Sequence, residues 1–406
     1  MKLIKDNHQG ISTFLSFALL PLSGFATDIY IPALPSMASD LSVTNSAVQL
    51  SLILFMVSYG ISQWFVGSLL DSYGRFRLGT GSLLIFALAS FTIAATHNIY
   101  LIYAMRIVQG TTVAMIVVGK RAYFVDVYSG DKLKHYVSLF SIIWATAPII
   151  APFIGGYLQT VFGWSSNFYF LGIFAVIILA FELIYSGESL KHFQPFKAKA
   201  ILKVYHTTIT TVDFALGLVI IAISYAMLVV YGMTSPFIIE HVFHFSPVVT
   251  GYSSLFSGVA LMLGGITSKM LIKKPFNRKI GVAIALQAIA AVLMISTSAL
   301  FSNFFTFMGF TLVIHFFGGF IFNNVFAFCL GRFTKNAGIA SGVTGGSMYI
   351  ITSIFSYGIV NAIPIQSQSL LGTAYLSFSV ILIGAFTLFV KARAREEAQQ
   401  SLAQAA

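Results

Sequence analysis

The sequence has few charged residues and a single cysteine. Asp, Glu, Lys and Arg make up 9% of its 406 residues, whereas soluble domains carry about 25%. Cys329 alone excludes a disulfide framework and a cysteine-rich metal site. The sequence contains no nucleotide-binding loop, no metal-ligand cluster and no Ser/His/Asp set, so it predicts neither an enzyme nor a bound cofactor. The shortage of charge predicts a protein whose solvent is largely lipid.

The net charge of +11 has two other interpretations, and the spacing of the basic residues argues against both. Nucleic-acid binding would need these residues clustered on one face, but they recur at intervals between apolar blocks. A signal peptide would have an apolar region of about 7–15 residues. The stretch 11–35 is longer and contains Asp28. It is therefore predicted to be a retained membrane span, and no nucleic-acid partner is expected.

Apolar stretches divide the chain into twelve predicted spans, because a spanning helix needs about 20 mostly apolar residues. The predicted spans are 11–35, 46–69, 78–96, 99–119, 136–158, 165–186, 211–234, 248–272, 279–300, 303–328, 337–361 and 369–391. The predicted fold class is an all-α integral membrane protein with two pseudo-symmetric halves. These are an N-terminal six-helix bundle at 1–186 and a C-terminal six-helix bundle at 211–391, joined by a cytoplasmic linker at 187–210 and followed by a cytoplasmic tail at 392–406.

The basic residues predict the orientation of the spans, because positively charged loops stay cytoplasmic. Of 23 Lys and Arg residues, all but Arg106 lie at or near one side of the predicted bundle. Those in the even-numbered loops and at the two ends are Lys2, Lys5, Arg75, Arg77, Lys132, Lys134, Lys191, Lys197, Lys199, Lys203, Lys269, Lys273, Lys274, Arg278, Lys279, Arg332, Lys335, Lys391, Arg393 and Arg395. Both termini are therefore predicted to be cytoplasmic. Six plus six spans around such a linker are typical of secondary transporters, although a membrane sensor or scaffold stays an alternative.

Two ionisable residues lie well inside predicted spans. Burying such a charge costs about 2.5–3.5 kcal/mol on insertion scales and marks a functional site. Asp28 lies about seven residues before the outer end of span one, and Arg106 about seven residues after the outer end of span four. At about 1.5 Å per residue both lie about 10 Å below the outer surface. Glu182 and Asp213 lie near the cytoplasmic ends of their spans and are interpreted as interfacial.

Asp28 has two possible roles. Burial favours a protonated carboxyl, whereas a nearby Arg106 favours the carboxylate, so a group between these effects can exchange a proton during transport. Alternatively, Asp28 and Arg106 form a permanent ion pair that only holds spans one and four together. Pro21, Pro32 and Pro35 on span one also predict a kinked helix, because proline removes a backbone hydrogen bond.

Four motifs resemble those of one transporter family. They are Thr27–Pro35 (TDIYIPALP) in span one, the loop Gly67–Arg77 (GSLLDSYGRFR), Arg106–Gly110 (RIVQG) in span four, and Ala147–Gly156 (APIIAPFIGG) in span five. Together they are similar to the major facilitator superfamily, in its twelve-span drug:proton antiporter branch, and most of all to the bicyclomycin-resistance group.

The resemblance implies roles for particular residues. Proton coupling is expected of Asp28, Arg106 and Gln109, gating of Gly67, Asp71, Gly74 and Arg75, and the antiporter motif comprises Pro148, Pro152, Gly155 and Gly156. Asp71 would meet the positive end of another cytoplasmic helix, near Asn336. The loop departs from the family pattern at Ser72 and Phe76, where basic residues are usual. The gate is therefore expected to be rewired.

The cargo site is predicted to be mostly apolar with a few polar groups. Its candidate residues are Gly24, Thr27, Trp144, Tyr225, His315 and Asn323, and His315 is also the second candidate proton site. With few acids inside, a neutral or monocationic lipophilic compound is the expected cargo, with an endogenous siderophore-like or peptide metabolite as the alternative. The protein is expected to work as a monomer in a bacterial inner membrane. The proton gradient would drive export by alternating access.

Overall fold

The computed structural model describes residues 3–193, 210–333 and 337–405. Within these ranges, the side chains of residues 6, 141, 142, 144, 145, 337–340 and 397–405 are outside the description. Most of the predicted linker, Asn336 and the side chain of Trp144 therefore lie outside the described residues. The predicted boundaries of the two halves stay a prediction.

The regular structure of the described residues is helical, apart from one isolated bridge between Leu3 and Glu188. Span one is Gln9–Asp40, which is divided into several segments. The spans that follow are Asn45–Tyr73, Arg75–Ala95, Ile99–Val127, Gly130–Phe162, Ser165–Tyr185, Val212–His241, Pro247–Met270, Phe276–Thr297, Phe304–Arg332, Ala337–Ala362 and Gln368–Ala405. Eleven of the described helices are long and apolar enough to cross a membrane, and in the remaining one, span five, the apolar part is Thr146–Phe162. The predicted all-α membrane fold is confirmed.

Polar residues and glycines define the ends of these helices. The side chain of Asn98 accepts hydrogen bonds from Tyr100 N and Leu101 N at the start of span four, and Asn303 forms a capping box at the start of span ten. Such caps supply partners for backbone N–H groups that lack one within the helix. Gly74, with φ of +96°, ends span two and allows span three to begin at the next residue.

Span one is broken where Asp28 lies. It consists of Gln9–Leu19, Leu22–Asp28, a short 3-10 turn at Ile31–Ala33, and Leu34–Asp40. The predicted kinks are present, because Pro32 has no N–H to offer the carbonyl of Asp28 and Pro21 lies at the first break. The break frees backbone carbonyls in the middle of a membrane span.

The described residues form two compact units. Unit 1 comprises Met1–Lys197 with Ser235–Leu255, and unit 2 comprises Ala198–Thr234 with Phe256–Ala406. In unit 1, span three packs along spans four and six, and in unit 2, span nine packs along spans ten and twelve. The same pairing therefore recurs six spans later, as expected of an internal repeat.

Small residues allow span five to approach the break in span one. A side chain added at Gly155 would place its Cβ 1.6 Å from the carbonyl oxygen of Ile29, and one at Gly24 would lie 2.4 Å from Cβ of Ala147. In a membrane, close backbone approach of this kind replaces the hydrophobic effect as the main source of helix association. The glycines of span five therefore hold it against the broken part of span one.

We predict that Gly155→Ala destabilises the folded protein by about 1–3 kcal/mol, because overpacking forces the two backbones apart. The measurement is the temperature at which detergent-solubilised protein aggregates. Gly79→Ala is the matched control, since a Cβ at Gly79 meets nothing within 4 Å. An equal aggregation temperature for Gly155→Ala and the wild type would contradict the close contact between spans one and five.

Candidate functional site

Arg106 is completely buried, with 0% exposure, and neutral groups supply its hydrogen-bond partners. Nη1 donates to the carbonyl oxygen of Ala26 at 3.0 Å and to Oε1 of Gln109 at 2.8 Å. Nε donates to the carbonyl oxygen of Ser51 at 3.3 Å. One guanidinium therefore joins spans one, two and four.

Aromatic rings surround the same guanidinium. Its Cζ lies 4.4 Å from the ring centroid of Phe55, 4.8 Å from that of Tyr30 and 5.9 Å from that of Phe168. The negative faces of such rings attract a cation, and the attraction is stronger in a desolvated site. The rings and carbonyls together substitute for the water that the charge has lost.

Gln109 extends this network to a further span. Its Nε2 donates to Oγ of Ser90 on span three at 2.8 Å, while its Oε1 accepts from Arg106. A Cβ added at the neighbouring Gly110 would lie 2.5 Å from the carbonyl oxygen of Phe55, so span two packs directly against span four here. Arg106, Gln109 and Gly110 therefore all face the neighbouring spans of unit 1.

Asp28 lies beside this network, and among the described residues it forms no ion pair within 4.0 Å with Arg106. Its side chain retains 8% exposure, whereas Arg106 has none. Thr27, its neighbour, donates to the carbonyl oxygen of Ser23 in its own helix at 2.6 Å. The hydrogen bonds that hold Arg106 therefore do not involve the carboxyl of Asp28.

The predicted gating loop forms an ionic cluster at the junction of spans two and three. Arg75 binds Asp71 at 3.0 Å and also forms an ion pair with Asp126 at the end of span four. The proposed contact of Asp71 with the region of Asn336 lies outside the described residues. Ser72, which replaces the usual arginine, donates to the carbonyl oxygen of Ser68 within its own helix.

Glu188 completes this cluster, and the sequence analysis missed it. Its two carboxylate oxygens accept from Arg75 N at 3.1 Å and from Phe76 N at 3.0 Å, at the N-terminus of span three. Negative charge is favourable at that end of a helix. A Cβ at Gly74 would lie 2.7 Å from Oε2 of Glu188, so glycine leaves room for the carboxylate. The sequence shows an acidic residue shortly after span six. It does not show that this residue binds Arg75 and Phe76, which lie more than 100 residues earlier.

The antiporter stretch of span five also contacts residues near the start of span eight. A Cβ at Gly156 would lie 2.7 Å from the carbonyl oxygen of Pro247, and one at Gly251 would lie 2.8 Å from that of Pro152. The hydroxyls of Tyr157 and Tyr252 lie 3.0 Å apart. Both faces of this part of span five are therefore occupied, by span one on one side and by residues 247–252 on the other. Pro148 and Pro152 lie within the helix without ending it.

His315, Tyr225 and Asn323, the other predicted cargo residues that the structure describes, lie in unit 2. His315 is buried between hydroxyls, with Ser257 Oγ 2.5 Å from Nδ1 and Tyr375 Oη 3.2 Å from Nε2. Tyr225 packs against Phe322 and Tyr349. The amide of Asn323 donates to the carbonyl oxygen of Gly319 in its own helix.

Two other acids within the spans form ion pairs. Glu182 accepts from Lys120 Nζ at 2.6 Å, and Asp213 accepts from Arg332 Nε at 2.9 Å. Both acids are buried, with 1% and 4% exposure, and each joins two spans through its ion pair. The interfacial role expected of them stays a prediction.

The profile of the Major Facilitator Superfamily matches residues 17–357. The chain belongs to this superfamily. A solved D-xylose–proton symporter has the same fold, with a TM-score of 0.65 and 13% identity, over 92% of this chain and 97% of that chain. The predicted family and fold are confirmed.

Curated relatives are bacterial major facilitators. An uncharacterized MFS-type transporter of Bacillus subtilis is 36% identical over 42% of this chain, and multidrug resistance protein D of Escherichia coli is 33% identical over 40%. These matches span 44% and 42% of the relatives' own lengths, less than half of each. Multidrug resistance protein MdtL of Vibrio parahaemolyticus is 26% identical over 94% of this chain and 96% of its own. The chain is a multi-pass protein of the bacterial inner membrane, as the sequence predicts.

We predict that Arg106→Lys lowers the stability of this major facilitator by about 1.5–3 kcal/mol, which is the contribution of one hydrogen bond to a charged group. Lysine keeps the charge but lacks the planar fork that reaches Ala26, Ser51 and Gln109 together. The aggregation temperature in detergent is the measurement, and Arg77→Lys at an exposed position of the same chain is the control. If both variants match the wild type, the three acceptors do not hold the guanidinium.

Proposed function

We propose that this protein is a proton-coupled antiporter that exports small lipophilic compounds, either neutral or monocationic, by alternating access. The observation that carries the proposal is a buried carboxyl, Asp28, that lies beside Arg106 without pairing with it. An ionisable residue at such depth is costly to insert into a membrane and therefore marks a functional site. The names of the relatives, several of which are resistance proteins, support a drug-like cargo.

The proposed role of Asp28 is to bind a proton and cargo in alternation. With Asp28 ionised, its charge and that of Arg106 balance, and the free carboxylate can accept a hydrogen bond or attract a cation from cargo. With Asp28 protonated, the site carries the single positive charge of Arg106, which disfavours a cationic cargo. A proton arriving from outside would therefore favour the release of cargo outward.

Arg106 serves in this scheme as a fixed countercharge. Its hydrogen bonds go to backbone carbonyls and an amide, and none of these groups changes its charge during the cycle. A preorganised, dry site makes such a fixed charge more effective than it would be in water. The proton can then move on and off Asp28 while spans one, two and four stay joined.

We also propose the oligomeric state, the orientation and the energy source of the transporter. The chain would act as a monomer with both termini in the cytoplasm, and the proton gradient would be its energy source, with no cofactor. Asp71, Arg75, Asp126 and Glu188 would hold the cytoplasmic end of unit 1 in one arrangement during part of the cycle.

We predict that Asp28→Asn abolishes transport driven by a pH gradient while the variant still folds and inserts, because asparagine retains size and polarity but cannot exchange a proton. The measurement is uptake of chloramphenicol and of ethidium into proteoliposomes with and without an imposed gradient. Asp131→Asn, at an exposed position in the first turn of span five, is the control and should transport like the wild type.

Gradient-driven transport that persists in Asp28→Asn would exclude Asp28 as the coupling group. Absence of cargo-triggered proton release from the wild type in detergent would instead favour a sensor or scaffold. A deletion strain that keeps its drug susceptibility but retains a metabolite inside the cell would identify the endogenous compound as the cargo.

A further inference from the structure

The connection between spans eight and nine carries basic residues without acidic partners. Lys269, Lys273, Lys274, Arg278 and Lys279 lie within eleven residues of the sequence. All but Lys279 are exposed, and Lys279 is half-buried. Among the described residues, none of the five forms an ion pair within 4.0 Å.

The sequence explains why these charges stay unpaired. No acidic residue occurs between Glu240 and Glu396, so the chain has no acid near the connection in sequence. Other basic residues of the chain do pair with acids. In unit 1, Arg75 pairs with Asp71 and Asp126, and Lys120 pairs with Glu182. In unit 2, Arg332 pairs with Asp213 and Glu396. Orientation by positive loops accounts for basic residues at this end, but it does not require that five of them lie together without an acid. An anionic group from outside the chain could therefore neutralise them.

Exposed apolar side chains lie next to these cations. Met270 is 77% exposed and Ile272 is 73% exposed, and Leu271 between them is also exposed. Backbone hydrogen bonds from Leu271 N to Thr267 O at 3.0 Å and from Lys274 N to Leu271 O at 3.1 Å fix the turn that presents them. Such side chains belong in an apolar layer, while lysines beside them reach upward to a polar one. This arrangement matches the boundary between acyl chains and headgroups.

The same end of unit 2 carries a further cation. The guanidinium of Arg393 on span twelve lies 5.7 Å from the ring centroid of Phe276, the first residue of span nine, and 5.3 Å from that of Phe328 on span ten. The basic surface therefore extends from the connection to the neighbouring span. Lipid headgroups with phosphate are bound by basic surfaces of this kind between spans.

We propose that the connection from Lys269 to Lys279 is a binding site for the headgroup of an anionic phospholipid. Met270 and Ile272 enter the acyl layer, and Lys273, Lys274 and Arg278 contact the phosphate. The site requires membrane insertion of unit 2, and it does not depend on the proposed antiport.

The test compares lipid binding by the full chain with that of a triple variant. Purified protein in mild detergent is titrated with dioleoyl phosphatidylglycerol or with dioleoyl phosphatidylcholine, and bound lipid is counted by native mass spectrometry. The triple variant Lys273→Gln, Lys274→Gln, Arg278→Gln should bind phosphatidylglycerol on the order of a hundredfold more weakly, since each basic residue contributes about fivefold. Binding of phosphatidylcholine should be unchanged. The three positions are exposed, so the fold should be retained.

A second triple variant removes the same charge from unit 1. Lys132→Gln, Lys134→Gln, Lys191→Gln changes three exposed lysines and should bind phosphatidylglycerol like the wild type. Met270→Ser with Ile272→Ser should weaken phosphatidylglycerol binding without a change in charge. Equal binding by the first triple variant and the wild type would overturn the proposal, as would equal losses in both triple variants. Displacement of the lipid by inorganic phosphate at equal concentration would assign the site to a free anion and would also overturn it.

Discussion

The guanidinium of Arg106 is a full positive charge enclosed by a bundle of apolar helices, and the surrounding structure has to replace its hydration. An unpaired charge in such a medium costs many kcal/mol unless dipoles or opposite charges compensate it. Here the compensation comes from the carbonyls of Ala26 and Ser51, the amide of Gln109 and three aromatic faces. Because these groups are neutral, the proposed change in protonation of Asp28 would leave the hydrogen bonds of Arg106 in place.

The break in span one makes this arrangement possible. In an unbroken helix the carbonyl of Ala26 would accept from Tyr30 N, but the helical segment ends at Asp28, and Pro32 supplies no N–H to continue it. Irregular backbone at membrane depth is tolerated where other protein groups satisfy or cover it. Arg106 satisfies one freed carbonyl, and Gly155 of span five covers the backbone at Ile29. The arginine motif, the proline-rich segment and the antiporter stretch are thus parts of one structure.

The sequence predicted the spans, their order and the shared depth of Asp28 and Arg106, because hydrophobic length and helical rise are local properties. It could not specify the acceptors of Arg106, since Ala26 is 80 residues away and Ser51 is 55 residues away. Backbone carbonyls have no signature in a sequence, so the ion pair stayed an open alternative. Asp126 and Glu188 were missed for a related reason: each looks like an ordinary polar residue after a span until the fold brings it to Arg75.

In the proposed cycle, Asp28 changes protonation while the hydrogen bonds of Arg106 stay intact. The most direct measurement is infrared difference spectroscopy of the reconstituted protein as cargo is added, which follows the carbonyl stretch of a protonated carboxylic acid. The account predicts that ethidium removes one such band from the wild type, that Asp28→Asn lacks the band, and that the guanidinium bands of Arg106 do not shift. A spectrum in which cargo leaves every carboxyl band unchanged, or in which the band persists in Asp28→Asn, would contradict the account.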